Sequence, residues 1–330
     1  MRIAILGTGY WAQFQMATWQ AMGVEIAAVW NRTKSRAEET AARFMIPHVF
    51  DTPHQLFEWG GFDIVDIIAD VAAHEELVLL AAAYKKAVIC QKPMSATLDS
   101  CEKMVAACRA AGVWYAVHEN FRYQPPLIKC AELLESGAIG RPVQAHLQLR
   151  SPDRAIMAKQ PALKTIDHMT LRDMGPHIFD VARFLFGEAR SIYSRPIRSY
   201  PDIPVDDAAK SLLQMESGLL LSCDLVHSFE FKLFVEGETG VLCLRADNTI
   251  TVNGKAMDYG LWPRLSYIPA DDWELHGWFV FSAIPICLSA LMERYGHGLP
   301  AATSGADNLK TMRLLFAAIK SQDMDQVVCL

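Results

Sequence analysis

The chain opens on RIAILGTGYWAQ (residues 2–13), an apolar run that breaks at glycine and resumes as a helical pattern. Arg2–Leu6 reads as a strand and Ala12–Met22 as a helix, with Gly7, Gly9 and Ala12 between them in G-x-G-x-x-A spacing. Gly7 permits a tight turn, Gly9 lets backbone approach a pyrophosphate, and Ala12 keeps helix and strand close. The phosphates would lie at the helix N-terminus, where backbone N–H groups point outward. Between a strand and a helix inside a βαβ unit, the pattern predicts a dinucleotide site, with Tyr10 and Trp11 on the same turn. The alternative is a tight turn that holds no ligand.

The alternation continues. Glu25–Trp30, Asp63–Ala69, Ala87–Cys90 and Trp114–His118 read as strands, and Ser35–Phe44, Glu75–Lys85 and Leu98–Ala111 as the helices between them. This spacing predicts βαβ units, a parallel sheet and a doubly wound fold. An acidic residue ending the second strand would hold the ribose 2′-hydroxyl of NAD. Here the stretch is WNRTKSR, with Asn31, Arg32 and Lys34 and no carboxylate, so the reading leans toward NADP. NAD held through Asn31 is the alternative. After Arg122 the pattern changes. Pro125 and Pro126 open a helix to about Ser136, and strands from Val143–Arg150 to Thr249–Val252 follow, mostly without helices between them. Such runs predict an antiparallel or mixed sheet. The expected domains are 1–122 and 123–330.

A length of 330 residues suits two domains. With 31 Lys and Arg against 37 Asp and Glu, the net charge is −6, and no basic field exists for nucleic acid or an anionic membrane. The longest apolar stretch, Trp278–Met292, is interrupted by Pro285 and reads as a buried helix rather than a membrane span. The first residues read as strand and turn rather than a secretory signal. The eight cysteines show no C-x-x-C or zinc spacing. Free thiols, no metal and a cytoplasmic location are expected.

Chemistry concentrates in TLRDMGPHIFDVARFLFG (170–187), where Asp173, His177 and Asp180 share one face of an otherwise apolar helix. A neutral imidazole suits His177 to acid–base work. Asp173 would orient it or bind a substrate hydroxyl, or else cap the helix ahead of Gly175 and Pro176. Asp180 reads as structural, bonding a neighbouring backbone group. A metal-dependent hydrolase built on this trio is an alternative. Lys92 follows the fourth strand, where open α/β sheets bind ligands, and its ammonium can stabilise a developing alkoxide. Weaker candidates are His118 and Glu119 at the cofactor rim and Asp153, Arg154, Lys164 and His168 in loops. His74 reads as a helix cap, and Trp262, Trp273 and Trp278 as interface or core.

The glycine turn is followed by VICQKPMS (88–95), HENFRYQPP (118–126) and the D-x-G-x-H-x-x-D of 173–180. In this order and spacing the set resembles the Gfo/Idh/MocA family (glucose–fructose oxidoreductase, inositol dehydrogenase) over essentially the whole chain. The resemblance implies an α/β protein with an N-terminal Rossmann domain. Its C-terminal α+β domain would be built on a large open, mostly antiparallel sheet that often joins subunits, hence a homo-oligomer, dimer or tetramer. It implies an NAD(P)-dependent oxidoreductase acting on a sugar, polyol or related carbohydrate. Lys92 would stand beside the nicotinamide and the substrate hydroxyl, with Pro93 after a cis peptide bond. His177 would be the acid/base and Asp173 a substrate-side residue. Asn120 would lie near the cofactor and Arg122 near the domain junction and the substrate. Two departures stand out. Gln91 replaces a Glu that helps hold the cofactor, and IADVAAHE replaces a Thr-Pro or Ser-Pro after the third strand, leaving the role of Asp70 open. ENFRYQ and ARFLFG resemble the branch that contains D-apiose dehydrogenases. A dinucleotide-binding sensor that has lost catalysis, and an NAD-dependent glycosidase-like enzyme, are the other expectations.

Overall fold

The computed structural model describes residues 1–330 apart from 151–156, 159, 229–230, 261–264 and 273–277. The chain forms two compact units, Met1–Asn120 with Arg264–Lys310 and Phe121–Pro263 with Thr311–Leu330.

The first unit alternates strands and helices: β1 (Arg2–Leu6), α1 (Ala12–Ala21), β2 (Glu25–Trp30), α2 (Lys34–Phe44), β3 (His48–Val49), α3 (Pro53–Trp59), β4 (Ile64–Ile67), α4 (Val71–Ala83), β5 (Ala87–Gln91), α5 (Leu98–Ala111) and β6 (Tyr115–His118). The six strands lie in the order β3-β2-β1-β4-β5-β6, every neighbouring pair parallel. This is the Rossmann order. Ile3–Leu6, Ile64–Ile67 and Val88–Cys90 are buried throughout, as strands covered on both faces must be. Asp66 is the one polar side chain among them. Neither β3 nor α3 is legible from periodicity in the sequence. Two strand residues carry no periodicity. The signal for α3 was local: Thr52 and Gln55 form a reciprocal capping box, with Pro53 at the first helical position.

The sequence reading assigns everything past 122 to one domain, whereas Arg264–Lys310 packs with the first unit. Within it the helix Trp278–Gly296 runs through Pro285 and sets Phe281 against Phe14 of α1, ring centroids 4.9 Å apart. Thr303 exchanges hydrogen bonds with the Val117 backbone of β6. Among the described residues no helix is long and apolar enough to cross a membrane.

The second unit starts with a 3-10 turn, Phe121–Tyr123, then α6 (Pro125–Glu135), β7 (Pro142–Arg150) and α7 (Met169–Phe186). Strands β8 (Ala189–Ile197), β9 (Ala208–Met215), β10 (Leu220–Val226), β11 (Phe231–Gly237), β12 (Val241–Arg245), β13 (Ile250–Val252), β14 (Lys255–Met257) and β15 (Val328–Cys329) complete it. The nine-stranded sheet runs β14-β13-β12-β11-β7-β10-β9-β8-β15, antiparallel except for the β7–β10 pair. In β9, Ser211, Leu213 and Met215 are buried while Lys210, Leu212 and Gln214 are exposed, the alternation of a sheet covered on one face. Helix α7 packs against β7, β9 and β10. The short strands β14 and β15 were not legible in the sequence.

Candidate functional site

In the first unit the parallel strands deliver the loops after β1, β2, β4, β5 and β6 to one edge of the sheet. Gly7–Trp11, Asn31 and Arg32, Asp70, Lys92 and Asn120 stand on those loops. Gly7 has φ +106°, and a Cβ there would come 2.4 Å from the Ile68 carbonyl oxygen, so only glycine fits. At Gly9 a Cβ would meet nothing within 4 Å, leaving open space over the turn. Asn31 shapes this cradle: its Oδ1 accepts from the Thr8 N–H (3.2 Å) and its Nδ2 donates to the Thr33 carbonyl (3.0 Å). The Thr8 hydroxyl is buried, with no hydrogen-bond partner among the described residues. A buried orphan hydroxyl calls for an explanation, and a phosphate oxygen would supply its partner. The first turn of α1 carries no acidic side chain to oppose an anion. These residues fit a dinucleotide. Thr8 stood at a variable position of the glycine pattern and gave no signal in the sequence.

Tyr10 and Trp11 pack edge-on against Phe14, at 5.2 and 5.7 Å. The Tyr10 hydroxyl donates to Asp272 at 2.5 Å; burial and that carboxylate hold the phenol above its ordinary pKa. Two cations after β2 already have a carboxylate: Arg32 meets Asp70 at 3.4 Å and Lys34 meets Asp51 at 2.5 Å.

Around Lys92 the loop is braced from within the unit. The Lys92–Pro93 peptide is cis. The Lys92 N–H donates to Gln91 Oε1 (2.9 Å), and Gln91 Nε2 donates to Gln15 Oε1 (3.0 Å). Gln91 is therefore engaged with protein at both ends of its amide. His74, buried in α4, faces the Pro93, Met94 and Ala69 carbonyls at 3.1–3.2 Å, and burial pushes its pKa down. It fastens two loops together, which a helix cap would not do. Asn120 is buried just past β6.

In the second unit α7 places Asp173, His177 and Asp180 on consecutive turns. Helix α7 begins at Met169 with His168 as its N-cap (φ +51°), so Asp173 lies inside the helix and the capping alternative for it fails. The His177 ring is 4% exposed and stacks on Phe121, centroids 3.7 Å apart and planes 17° apart. Asp180 is fully buried and accepts from Arg122 Nε (2.7 Å) and Arg122 Nη2 (2.5 Å), with the Thr311 hydroxyl at 3.3 Å. Its described partners are thus the Arg122 guanidinium and the Thr311 hydroxyl. Arg122, 8% exposed, is correspondingly committed to this pair, its guanidinium 5.6 Å from the centre of the Phe184 ring. His168 bonds Gln322 and pairs with Asp323. Lys164 lies in the 3-10 turn Pro161–Thr165. Asp153, Arg154, Trp262 and Trp273 lie outside the described residues.

A glycine cradle at the carboxyl edge of a parallel 3-2-1-4-5-6 sheet places the chain among dinucleotide-binding α/β enzymes. Known proteins narrow this. Residues 1–119 match the oxidoreductase family with an NAD-binding Rossmann fold, and 127–254 match the GFO/IDH/MocA C-terminal domain. A D-apiose dehydrogenase of Rhizobium rhizogenes is 32% identical, over 96% of this chain and 94% of that protein. Another, from Paraburkholderia graminis, is 31% identical over 96% and 86%. A crystallised oxidoreductase from Agrobacterium radiobacter, in complex with NAD+, L-tartaric acid and magnesium, is 31% identical, with TM-score 0.92 over 100% of this chain and 98% of that one. The chain belongs to the Gfo/Idh/MocA family and is an oxidoreductase.

Proposed function

We propose that the protein is an NAD-dependent dehydrogenase that oxidises a hydroxyl of a sugar or polyol. The observation that carries this reading is the shared sheet edge of the first unit, where the cradle with its orphan Thr8 hydroxyl and the Lys92 loop stand together. Family membership adds the class of reaction. A bound nicotinamide supplies the hydride acceptor. The chain's own residues handle the oxygen. His177 takes the hydroxyl proton on its imidazole, and Lys92 donates a hydrogen bond to the oxygen as negative charge builds there. Asp173, four residues before His177, binds a neighbouring hydroxyl or orients the ring. Arg122 is assigned to bracing Asp180 rather than to the substrate.

The choice of NAD reverses the expectation of NADP. That expectation rested on a cationic stretch without a carboxylate, and Asp70, from the next loop, supplies one to Arg32. A ribose 2′-phosphate would have to displace or neighbour that carboxylate. A second copy of the chain is proposed to cover the open sheet face, where Leu212 and Leu220 are 51% and 52% exposed.

The test is a panel of aldoses, polyols and sugar acids, headed by D-apiose, incubated with NAD and with NADP. The expected result is reduced nicotinamide from NAD with at least one pentose or polyol. Tight NAD binding with no turnover on any compound would favour the sensor. Glycoside hydrolysis without net reduction would favour the glycosidase-like reading. Sedimentation of wild type against Leu212→Asp checks the proposed subunit contact.

A further inference from the structure

Asp66 is a carboxylate in the centre of an otherwise apolar parallel sheet, 0% exposed and without a cation among its described partners. Such a group is costly to bury, and nothing in the proposed chemistry uses it. Its surroundings are Gln15 and Trp19 from α1 and the Cys90 thiol from β5. Gln15 Nε2 donates to both carboxylate oxygens (2.9 and 2.7 Å) and Trp19 Nε1 to one (2.7 Å). The chain then continues through Gln15 Oε1 to Gln91 Nε2 and from Gln91 Oε1 to the Lys92 N–H.

Every bond in this sequence points the same way, and the reason lies at its inner end. An ionised carboxylate only accepts. It therefore fixes Gln15 with nitrogen inward and oxygen outward. That oxygen only accepts, so Gln91 must turn its own nitrogen inward and leave its oxygen for Lys92. Gln91 Nε2 also faces His118 Nδ1 at 3.4 Å, a longer contact than the 3.0 Å to Gln15; a carboxylate in place of the Gln91 amide would set a second acceptor against Gln15 Oε1. Gln15 could then satisfy Asp66 or that new carboxylate, but not both.

We infer that Asp66, Gln15 and Gln91 form a hydrogen-bond rail whose direction is set by the buried carboxylate, and that this rail positions the backbone of Lys92. The positioning role rests on the reading of Lys92 as a substrate-side residue. Gln91 is then matched to Asp66, and the acidic residue expected from the family resemblance is the wrong one for this interior. The rail also accounts for Gln15, a polar residue 1% exposed on α1.

The rail can be reversed as a unit. In an Asp66→Asn, Gln91→Glu double variant, the new inner amide would keep its oxygen on Trp19 and donate its nitrogen to Gln15 Oε1. Gln15 would turn its own nitrogen to one oxygen of the new outer carboxylate, whose other oxygen would still accept from the Lys92 N–H. Burial raises the Asp66 pKa to about 7, so assays belong at about pH 9, where the wild-type carboxylate is ionised.

The experiment compares wild type, Asp66→Asn, Gln91→Glu, the double variant and Lys92→Met by thermal midpoint, NAD affinity, kcat and KM. Each single rail variant is expected to lower the midpoint and to cut kcat about tenfold or more, the cost of one mispaired buried group, with KM little changed. The double variant is expected to recover both, to within about threefold of wild type in kcat. Neutral single variants, or a double variant as poor as the sum of the singles, would overturn the rail. Recovery of the midpoint with kcat untouched in every rail variant would overturn the positioning role. If Lys92→Met also kept wild-type kcat, the reading of Lys92 would be what failed.

Discussion

Lys92 stands at the end of a line of neutral amides that terminates on a lone buried carboxylate, whereas His177 lies flat on a phenyl ring beside an Arg–Asp pair. The first support is directional. Each member must present nitrogen or oxygen in the correct sense, so single substitutions fail and matched ones succeed. The second support works by shape and charge. Phe121 fixes the plane of the ring, and the neighbouring Arg122 ties that short turn to the same helix that carries His177. The difference teaches what to expect when each is disturbed. A charge pair breaks with a large loss of stability, a stack with a small one, and a rail according to whether its polarity is kept.

The largest effect is expected at the imidazole itself. His177→Ala should lower kcat about 10²–10⁴-fold while NAD affinity, measured by calorimetry, stays near wild type. Asp180→Ala, which leaves Arg122 buried without its partner, should cost about 3–5 kcal/mol in urea denaturation. Arg122→Met with Asp180→Leu should lose much less, since neither charge is then stranded. If the two substitutions simply add, the contrast between pair and stack is wrong.

Asp66 sharpens the same contrast through pH. Its folded pKa of about 7 lies above the ordinary carboxylate value, with burial the largest cause. The native state therefore holds this proton more tightly than the unfolded chain does. The resulting stabilisation is full below about pH 4 and is lost as pH rises through about 7, on the order of a few kcal/mol. Denaturation of wild type and Asp66→Asn across that range should differ by a curve of this sign. A flat difference would mean that the inner end of the rail does not titrate as described.

Two smaller effects close the series. Phe121→Leu removes a stack of about 1 kcal/mol and should change kcat several-fold with normal folding. Asp70→Asn should improve NADP use a few-fold by freeing Arg32, and Arg32→Ala should leave NAD affinity nearly unchanged. An Asp70→Asn variant with the wild-type NAD to NADP ratio would remove the reason for preferring NAD.

Much of the fold was legible because parallel strands buried on both faces must be apolar throughout. Ile3–Leu6, Ile64–Ile67 and Val88–Cys90 announce themselves in that way. The glycine cradle was legible because Gly7 has no substitute at its φ. Illegible features are those whose cause lies far along the chain. Tyr10 meets Asp272 and Phe14 meets Phe281, partners more than 260 residues away that no local pattern reveals. Asp70 pairs with Arg32 across 38 residues, a contact on which the proposed preference for NAD rests. Of the trio on α7, spacing placed the three on consecutive turns but not their roles. The Arg122 pair, with Thr311, is what sets Asp180 apart from the other two.

The most direct test is a single-turnover measurement of nicotinamide reduction, with enzyme saturated in NAD and mixed with its best sugar, in wild type, His177→Ala and Lys92→Met. The account expects a fast phase in wild type and its loss in both variants, with NAD still bound at wild-type affinity. A fast phase of wild-type rate in either variant would contradict it.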